Sequence, residues 1–162
     1  MQKLKLYVET SLFGFYFDRS AANRTKMNAV TKLFQQIKEG LFEGYVSGLV
    51  RAELQKAPPP YRGRFLRLID RYSLKAIDYD QEEAGDLHLQ YMEAGVVPQP
   101  VADDAAHVAI ATVGGMDVVV SCNLRHLANE LAVRRFQAVN LRQGYGLSLS
   151  IRQPEEVIFY ED

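Results

Sequence analysis

The sequence predicts an α/β fold: a parallel, doubly wound sheet with helices on both faces. Three observations predict it. Short apolar runs alternate with longer stretches of helical periodicity, the pattern of repeated βαβ units. Within Asp117-Val118-Val119-Val120-Ser121 the three valines form a continuous β-branched run, as expected of a strand buried on both faces. Gly40, Gly95 and Gly114-Gly115 stand where the helical stretches should stop.

The elements follow in order. Leu4 to Val8 is an apolar-rich run that ends at the polar triplet Glu9-Thr10-Ser11, a first strand. Phe13 to Phe17 is aromatic and broken by Gly14, a turn or short helix packed on the core. From Asn23 to Glu39, the residues Met27, Val30, Leu33, Phe34 and Ile37 recur at three- and four-residue steps, an amphipathic helix. Gly44 to Ser47 reads as a second strand. Ser47 is placed to cap a helix through Leu49, Val50, Glu53 and Leu54, which Pro58-Pro59-Pro60 ends. A further helix carries Phe65, Leu68, Ile69 and Tyr72 on one face. Leu74 to Asp78 is a third strand, and Gln81 to Ala94 a helix. After a Pro-containing loop, Asp103-Asp104 opens an apolar helix through Ala105, Val108, Ala109, Ala111 and Thr112, followed by the strand at 117–121. Leu127 to Val133 is expected as a short helix, Phe136 to Leu141 as a weak fifth strand, and Pro154 to Val157 as a terminal helix with proline at its first position.

A chain of 162 residues with 48% apolar and 24% charged residues fits one ordinary domain with its own core. Cys122 is alone, so no internal disulfide forms, which fits a reducing cytoplasm. Met1 to Lys5 runs straight into the first strand without a signal-peptide core, and no stretch reaches the roughly 20 apolar residues a membrane span needs. The expected location is the cytoplasm, away from membranes. A net charge of -1 argues against a broad electrostatic footprint on nucleic acid. Contact with nucleic acid would need a local basic patch, metal ions or a basic partner chain.

In a doubly wound sheet each crossover helix starts at the carboxyl edge of the strands, and ligands bind there. Glu9 closes the first strand. Glu53 lies about one and a half turns into the helix after the second strand. Asp104 opens the helix before the fourth strand, and Asn123 follows that strand by two residues. All four therefore fall on one edge. Gathered carboxylates repel one another, and a divalent ion offsets that repulsion far better than helix dipoles do. Mg²⁺ binds through one or two carboxylates, keeps several waters and takes substrate phosphate as a further ligand. Such a cluster suits phosphodiester hydrolysis. Each acid also has an ordinary reading, Asp103 and Asp104 as helix caps and Glu53 as a solvated helix residue.

The same residues resemble the motifs of the PIN-domain family. Tyr7-Val8-Glu9-Thr10-Ser11 resembles its first motif, a strand ending in an acid followed by Thr or Ser. Val50-Arg51-Ala52-Glu53-Leu54 looks like the second, a helix bearing a glutamate. Ala102 to Ala111, with Asp103, Asp104, Ala105 and His107, is similar to the third, an Asp-Ala-x-His helix start. Val120-Ser121-Cys122-Asn123 resembles the fourth, a buried strand ending in Ser or Thr and then an acid or Asn. The motifs stand in family order over about residues 4 to 141.

The resemblance implies a three-layer α/β/α sandwich around a mostly parallel sheet and a Mg²⁺- or Mn²⁺-dependent ribonuclease. Many bacterial members are VapC-like toxins restrained by a small antitoxin protein, commonly as homodimers. Position by position, Glu9, Glu53 and Asp104 would be metal ligands sharing one ion, or would orient its water. Asn123 would take the fourth place, with Thr10, Ser11, Asp103 and Ser121 in support. Two departures stand out: the first acid is usually Asp rather than Glu9, and the fourth is usually Asp rather than Asn123. They leave a catalytically inactive PIN-like RNA- or protein-binding module as the alternative.

Competing chemistries lack their signatures. An aspartate-nucleophile phosphatase needs Asp-x-Asp where Glu9-Thr10-Ser11 stands, and a nucleotide-binding domain needs a Gly-rich loop there. No His/Cys spacing suggests zinc. His107 is read as a helix-packing or hydrogen-bonding residue, with a catalytic base as the sharper reading. His88 is read as structural, and His126 as either near substrate or idle. Arg64, Arg67 and Arg71 share a helix face, either solvated or touching RNA phosphate. Arg51 and Arg125 are further RNA candidates. The aromatics Phe13, Phe15, Tyr16 and Phe17 are read as core, with stacking on bases as the alternative.

Overall fold

The computed structural model describes residues 2–160. The elements are β1 (Lys5–Val8), α1 (Ser11–Tyr16), α2 (Arg24–Lys38), β2 (Glu43–Val46), α3 (Gly48–Gln55), α4 (Tyr61–Arg71), β3 (Lys75–Ala76), α5 (Gln81–Glu93), α6 (Ala102–Val113), β4 (Val118–Val120), α7 (Glu130–Arg142), β5 (Ser150–Arg152) and α8 (Pro154–Val157). The five strands form one all-parallel sheet in the order β3-β2-β1-β4-β5. Helices on its two faces complete a three-layer α/β/α sandwich.

That order follows from the handedness of parallel crossovers. The chain first steps from β1 to β2 to β3 in one direction. It then returns past β1 to β4 and continues to β5 in the other. Reversing the direction of travel moves the connecting helices to the opposite face. Accordingly α1 packs on α2 and α4, and α2 on α8, while α5 packs on α6 and α7. The reversal lies between β1 and β4, where neighbouring strands send their chains opposite ways. In sheets of this kind ligands bind at the carboxyl ends of the strands at such a reversal. Registry places Val8 beside Val120, so Glu9 emerges next to Ser121.

The central strands behave as their composition requires. Val118, Val119 and Val120 are all buried, as are Leu6, Tyr7 and Val8. Ser47 caps α3 through Val50 N at 3.1 Å. In α6 the two first-turn acids are not caps: the N-cap is Val101 and no side chain caps it.

Two expectations are corrected. Phe136 to Leu141 is not a strand but the second half of α7, which also absorbs the end of the short helix expected at 127–133. Ala132, Val133, Phe136, Val139 and Asn140 bury one continuous side at helical spacing, and a six-residue window hides that period. The fifth strand lies at Ser150–Arg152 instead, an edge strand held by β4. The third strand shrinks to Lys75–Ala76, and both residues are exposed at the other edge. No helix among the described residues is long and apolar enough to cross a membrane.

Candidate active site

The described residues include six buried polar or charged side chains, and four of them, Glu9, Ser47, His107 and Ser121, meet at the carboxyl edge of β1, β2 and β4. Each is placed by an element end. Glu9 leaves β1 and Ser121 leaves β4. Ser47 opens α3, and His107 stands one turn into α6 from Asp104.

Glu9 is 6% exposed and held on both oxygens. Its Oε1 accepts from Ser121 Oγ at 2.5 Å and Ser11 Oγ at 2.6 Å, and its Oε2 accepts from Ser11 N at 3.1 Å. Ser11 Oγ also accepts from Cys122 N at 2.9 Å, and Ser121 Oγ from Asn123 N at 3.0 Å. The end of β1 and the loop after β4 are thus stitched together around one carboxylate.

Glu53 is built differently. Its Oε1 accepts from Thr10 Oγ1 at 2.6 Å and lies 2.6 Å from His107 Nε2. The other imidazole nitrogen, Nδ1, lies 2.6 Å from the Tyr7 hydroxyl, which is 2.7 Å from Ser47 Oγ. Burial alone would raise the Glu53 carboxyl. The His107 hydrogen bond, the His107 charge and the Thr10 hydroxyl outweigh it and hold the group below its ordinary value. Burial pushes the Tyr7 hydroxyl far above the usual phenol range, so this chain of bonds runs through a neutral Tyr7.

Asp104 faces Asn123 and His126. Asn123 Nδ2 donates to Asp104 Oδ2 at 3.1 Å, and His126 Nδ1 lies 3.2 Å from the same oxygen. Asn123 Oδ1 accepts from His126 N at 3.1 Å, so its amide is fixed at both ends. Burial, with the charge of Glu9 adding to it, raises the Asp104 carboxyl against the pull of Asn123, His126 and His107.

The edge brings together Glu9, Thr10, Ser11, Glu53, Asp104, Ser121 and Asn123. Asp103 is exposed in the first turn of α6, and no hydrogen bond among the described residues ties it to the others. Among the described residues, no three His, Cys, Asp or Glu side chains stand close enough to enclose one metal ion by themselves. Among the described residues no donor reaches Glu53 Oε2 or Asp104 Oδ1, while Glu53 Oε1 takes two hydrogen bonds and Asp104 Oδ2 takes one from Asn123 and the close approach of His126.

Sequence reasoning placed the acids but not their partners. His107 is a hydrogen-bonding residue, as expected, though its partner Glu53 lies 54 positions away. The idle reading of His126 gives way to its pairing with Asp104. His88 Nε2 lies 2.9 Å from Ala102 O and joins α5 to the start of α6. Tyr7 and Ser47 looked like core and cap; the inward strand position of one and the helix start of the other were the available signal. Burial pushes the Cys122 thiol up to about 12, which disfavours the thiolate form. No protein-family model matches the chain, and the search of curated proteins gives no match.

Proposed function

We propose that this chain is a divalent-metal-dependent ribonuclease of the PIN-domain type, hydrolysing phosphodiester bonds in single-stranded RNA with Mg²⁺ or Mn²⁺. One observation carries the reading. At the carboxyl ends of β1 and β4, Glu9 and Asp104 are tied to one another through Ser121 and Asn123, and among the described residues no lysine or arginine pairs with either carboxylate. Such a charge arrangement favours a cation.

The donor set fits the group. It is made of oxygens, the ligands hard cations take, and Mg²⁺ needs only one or two carboxylates with water completing its shell. Glu53 and Asp104 would each offer an ion the oxygen that their protein donors leave open, one or both as ligands with water completing the shell. When bound, the ion supplies Lewis-acid activation of water and neutralises charge on the phosphodiester. The chain's own residues prepare the edge. Ser11 and Ser121 lock Glu9, Thr10 and His107 fix one oxygen of Glu53, and Asn123 with His126 fixes one oxygen of Asp104. Restraint of this kind holds a site in its productive geometry.

The resemblance also carries partners into the proposal: a small antitoxin protein and a second copy of the chain, in the cytoplasm. Mass in solution and co-purification with the product of an adjacent small gene test them.

The second reading is an inactive RNA- or protein-binding module. Asn123 in the fourth place and the saturation of Glu9 by serine donors favour it. Cleavage of a labelled single-stranded RNA separates the two. Activity should require Mg²⁺ or Mn²⁺, vanish in chelator, and fall more than about 100-fold in Asp104→Asn, beyond the usual loss for an outer partner of a metal site. Cleavage that persists in chelator overturns the proposal. Absence of cleavage with either ion selects the inactive module.

A further inference from the structure

The net charge of -1 conceals a strong asymmetry. Residues 48–72, which form α3 and α4, carry Arg51, Lys56, Arg62, Arg64, Arg67 and Arg71 against only Glu53 and Asp70. Six minus two leaves this segment at +4, and the remainder of the chain at -5. A local basic patch, one of the means by which such a chain could contact nucleic acid, is here, on the two helices that follow β2.

The arginines of α4 are exposed, and none of them joins an ion pair among the described residues. Arg64, Arg67 and Arg71 line a groove of about 490 Å³ together with Phe17, Leu68 and Asp70. Their heads are partly arranged already. The Arg64 guanidinium lies 5.9 Å from the Tyr61 ring and that of Arg71 lies 5.4 Å from the Tyr72 ring. Arg67 folds back along the helix over Gly63, where a Cβ would come within 3.3 Å of its Nη1. Phe17, half-buried, leans on Phe65 with ring centroids 5.8 Å apart.

Elements that line the groove also carry residues of the acidic edge, or pack on one that does, in two places. Phe17 immediately follows α1, whose first residue Ser11 is bonded to Glu9; six helical residues span about 9 Å. On the other side α3, which carries Glu53, packs directly on α4.

We propose that the groove between Phe17 and the Arg64–Arg67–Arg71 face of α4 is the track on which the backbone of single-stranded RNA lies as it enters the acidic edge. The proposal deepens the ribonuclease reading and rests on it for the identity of the polyanion. Unpaired guanidiniums on successive turns match a row of phosphates, and an aromatic in the lining gives a base a surface to stack on, the combination that holds single strands. An acidic peptide would use the charges but not the ring.

The test is the salt dependence of binding, read by fluorescence anisotropy of a labelled single-stranded RNA in chelator, so that nothing is cut. Each phosphate contact on a single strand contributes about 0.7 to the slope of log affinity against log salt. Changing Arg64, Arg67 and Arg71 together to Gln should therefore flatten the slope by about 2. Between 50 and 200 mM salt, wild type should lose about 20-fold more affinity than this variant. The corresponding Lys variant should keep the slope, as should Arg135→Gln/Arg142→Gln on exposed positions of α7. Equal slopes for the Gln variant and the α7 control overturn the track, even if the chain cuts RNA. A polyglutamate peptide binding as tightly as RNA also overturns it. A flattened slope in a chain that cuts no RNA with any metal supports the track and overturns the ribonuclease reading instead.

Discussion

Removing one hydroxyl from the strand beneath the site is expected to destabilise the whole fold. Tyr7 is fully buried, and its hydroxyl lies 2.7 Å from Ser47 Oγ and 2.6 Å from His107 Nδ1. Tyr7→Phe removes no apolar surface, so the hydrophobic contribution stays. Two hydrogen bonds are lost, each with a net worth of about 1 kcal/mol. Ser47 Oγ still accepts from Val50 N, but His107 Nδ1 keeps no partner, and an unpaired buried polar atom costs about 1–3 kcal/mol. The expected loss is about 2–3 kcal/mol. With a urea m-value of about 2 kcal/mol/M, the midpoint should fall by about 1 M at unchanged m. A double-mutant cycle isolates the cause. In Tyr7→Phe/His107→Leu both polar ends are gone, so the double variant should lose about 1–2 kcal/mol less than the sum of the singles. A midpoint shift below about 0.3 M, or strict additivity, would refute the buried network on which Glu53 rests.

Three further expectations follow from the same geometry. In chelator at pH 7, Asp104→Asn should be more stable than wild type by thermal melting, because it removes a carboxylate that is half-buried and repelled by Glu9. A raised folded value means stability is present below the ordinary aspartate value of 3.8 and lost as pH climbs, so the advantage should vanish in acid; a less stable variant at pH 7 contradicts the charge conflict. Glu53 has the opposite sign. Its value is held down, so its contribution is present above the ordinary 4.5 and lost as pH falls through the folded value; Glu53→Gln should flatten the acid limb of the stability curve, and an unchanged limb contradicts the His107 pairing. Gly114→Ala should cost about 2 kcal/mol by overpacking. Its Cβ would meet Ile77 Cδ1 at 2.5 Å and the Ile110 carbonyl at 3.0 Å, and the backbone oxygen cannot move aside as a side chain can; a denaturation midpoint equal to wild type would refute the clash.

Much of the fold is written locally. β4 reads as a buried strand because its three residues are all β-branched and apolar, the composition of a strand covered on both faces. The helix α2 reads from a spacing that repeats over many residues. Local reading fails where the pattern is short. Phe136 to Leu141 shows its helical side only when Ala132 and Val133 are included. The three residues of β5 and the two of β3 have too little length for any period, and pairing with β4 and β2 makes them strands.

The site divides along the same line. By itself the sequence determined that Glu9, Glu53, Asp104 and Asn123 share an edge, because a parallel sheet starts every crossover at the carboxyl ends of its strands, whatever the strand order. Only the tertiary structure decided that β4 lies beside β1, and hence that Ser121 reaches Glu9 across 112 positions, His107 reaches Glu53 across 54, and Asn123 reaches Asp104 across 19. A periodicity is a property of neighbouring residues and survives without the rest of the chain. A hydrogen bond between distant side chains exists only after packing has chosen which strands and helices stand together, and that choice belongs to the whole core.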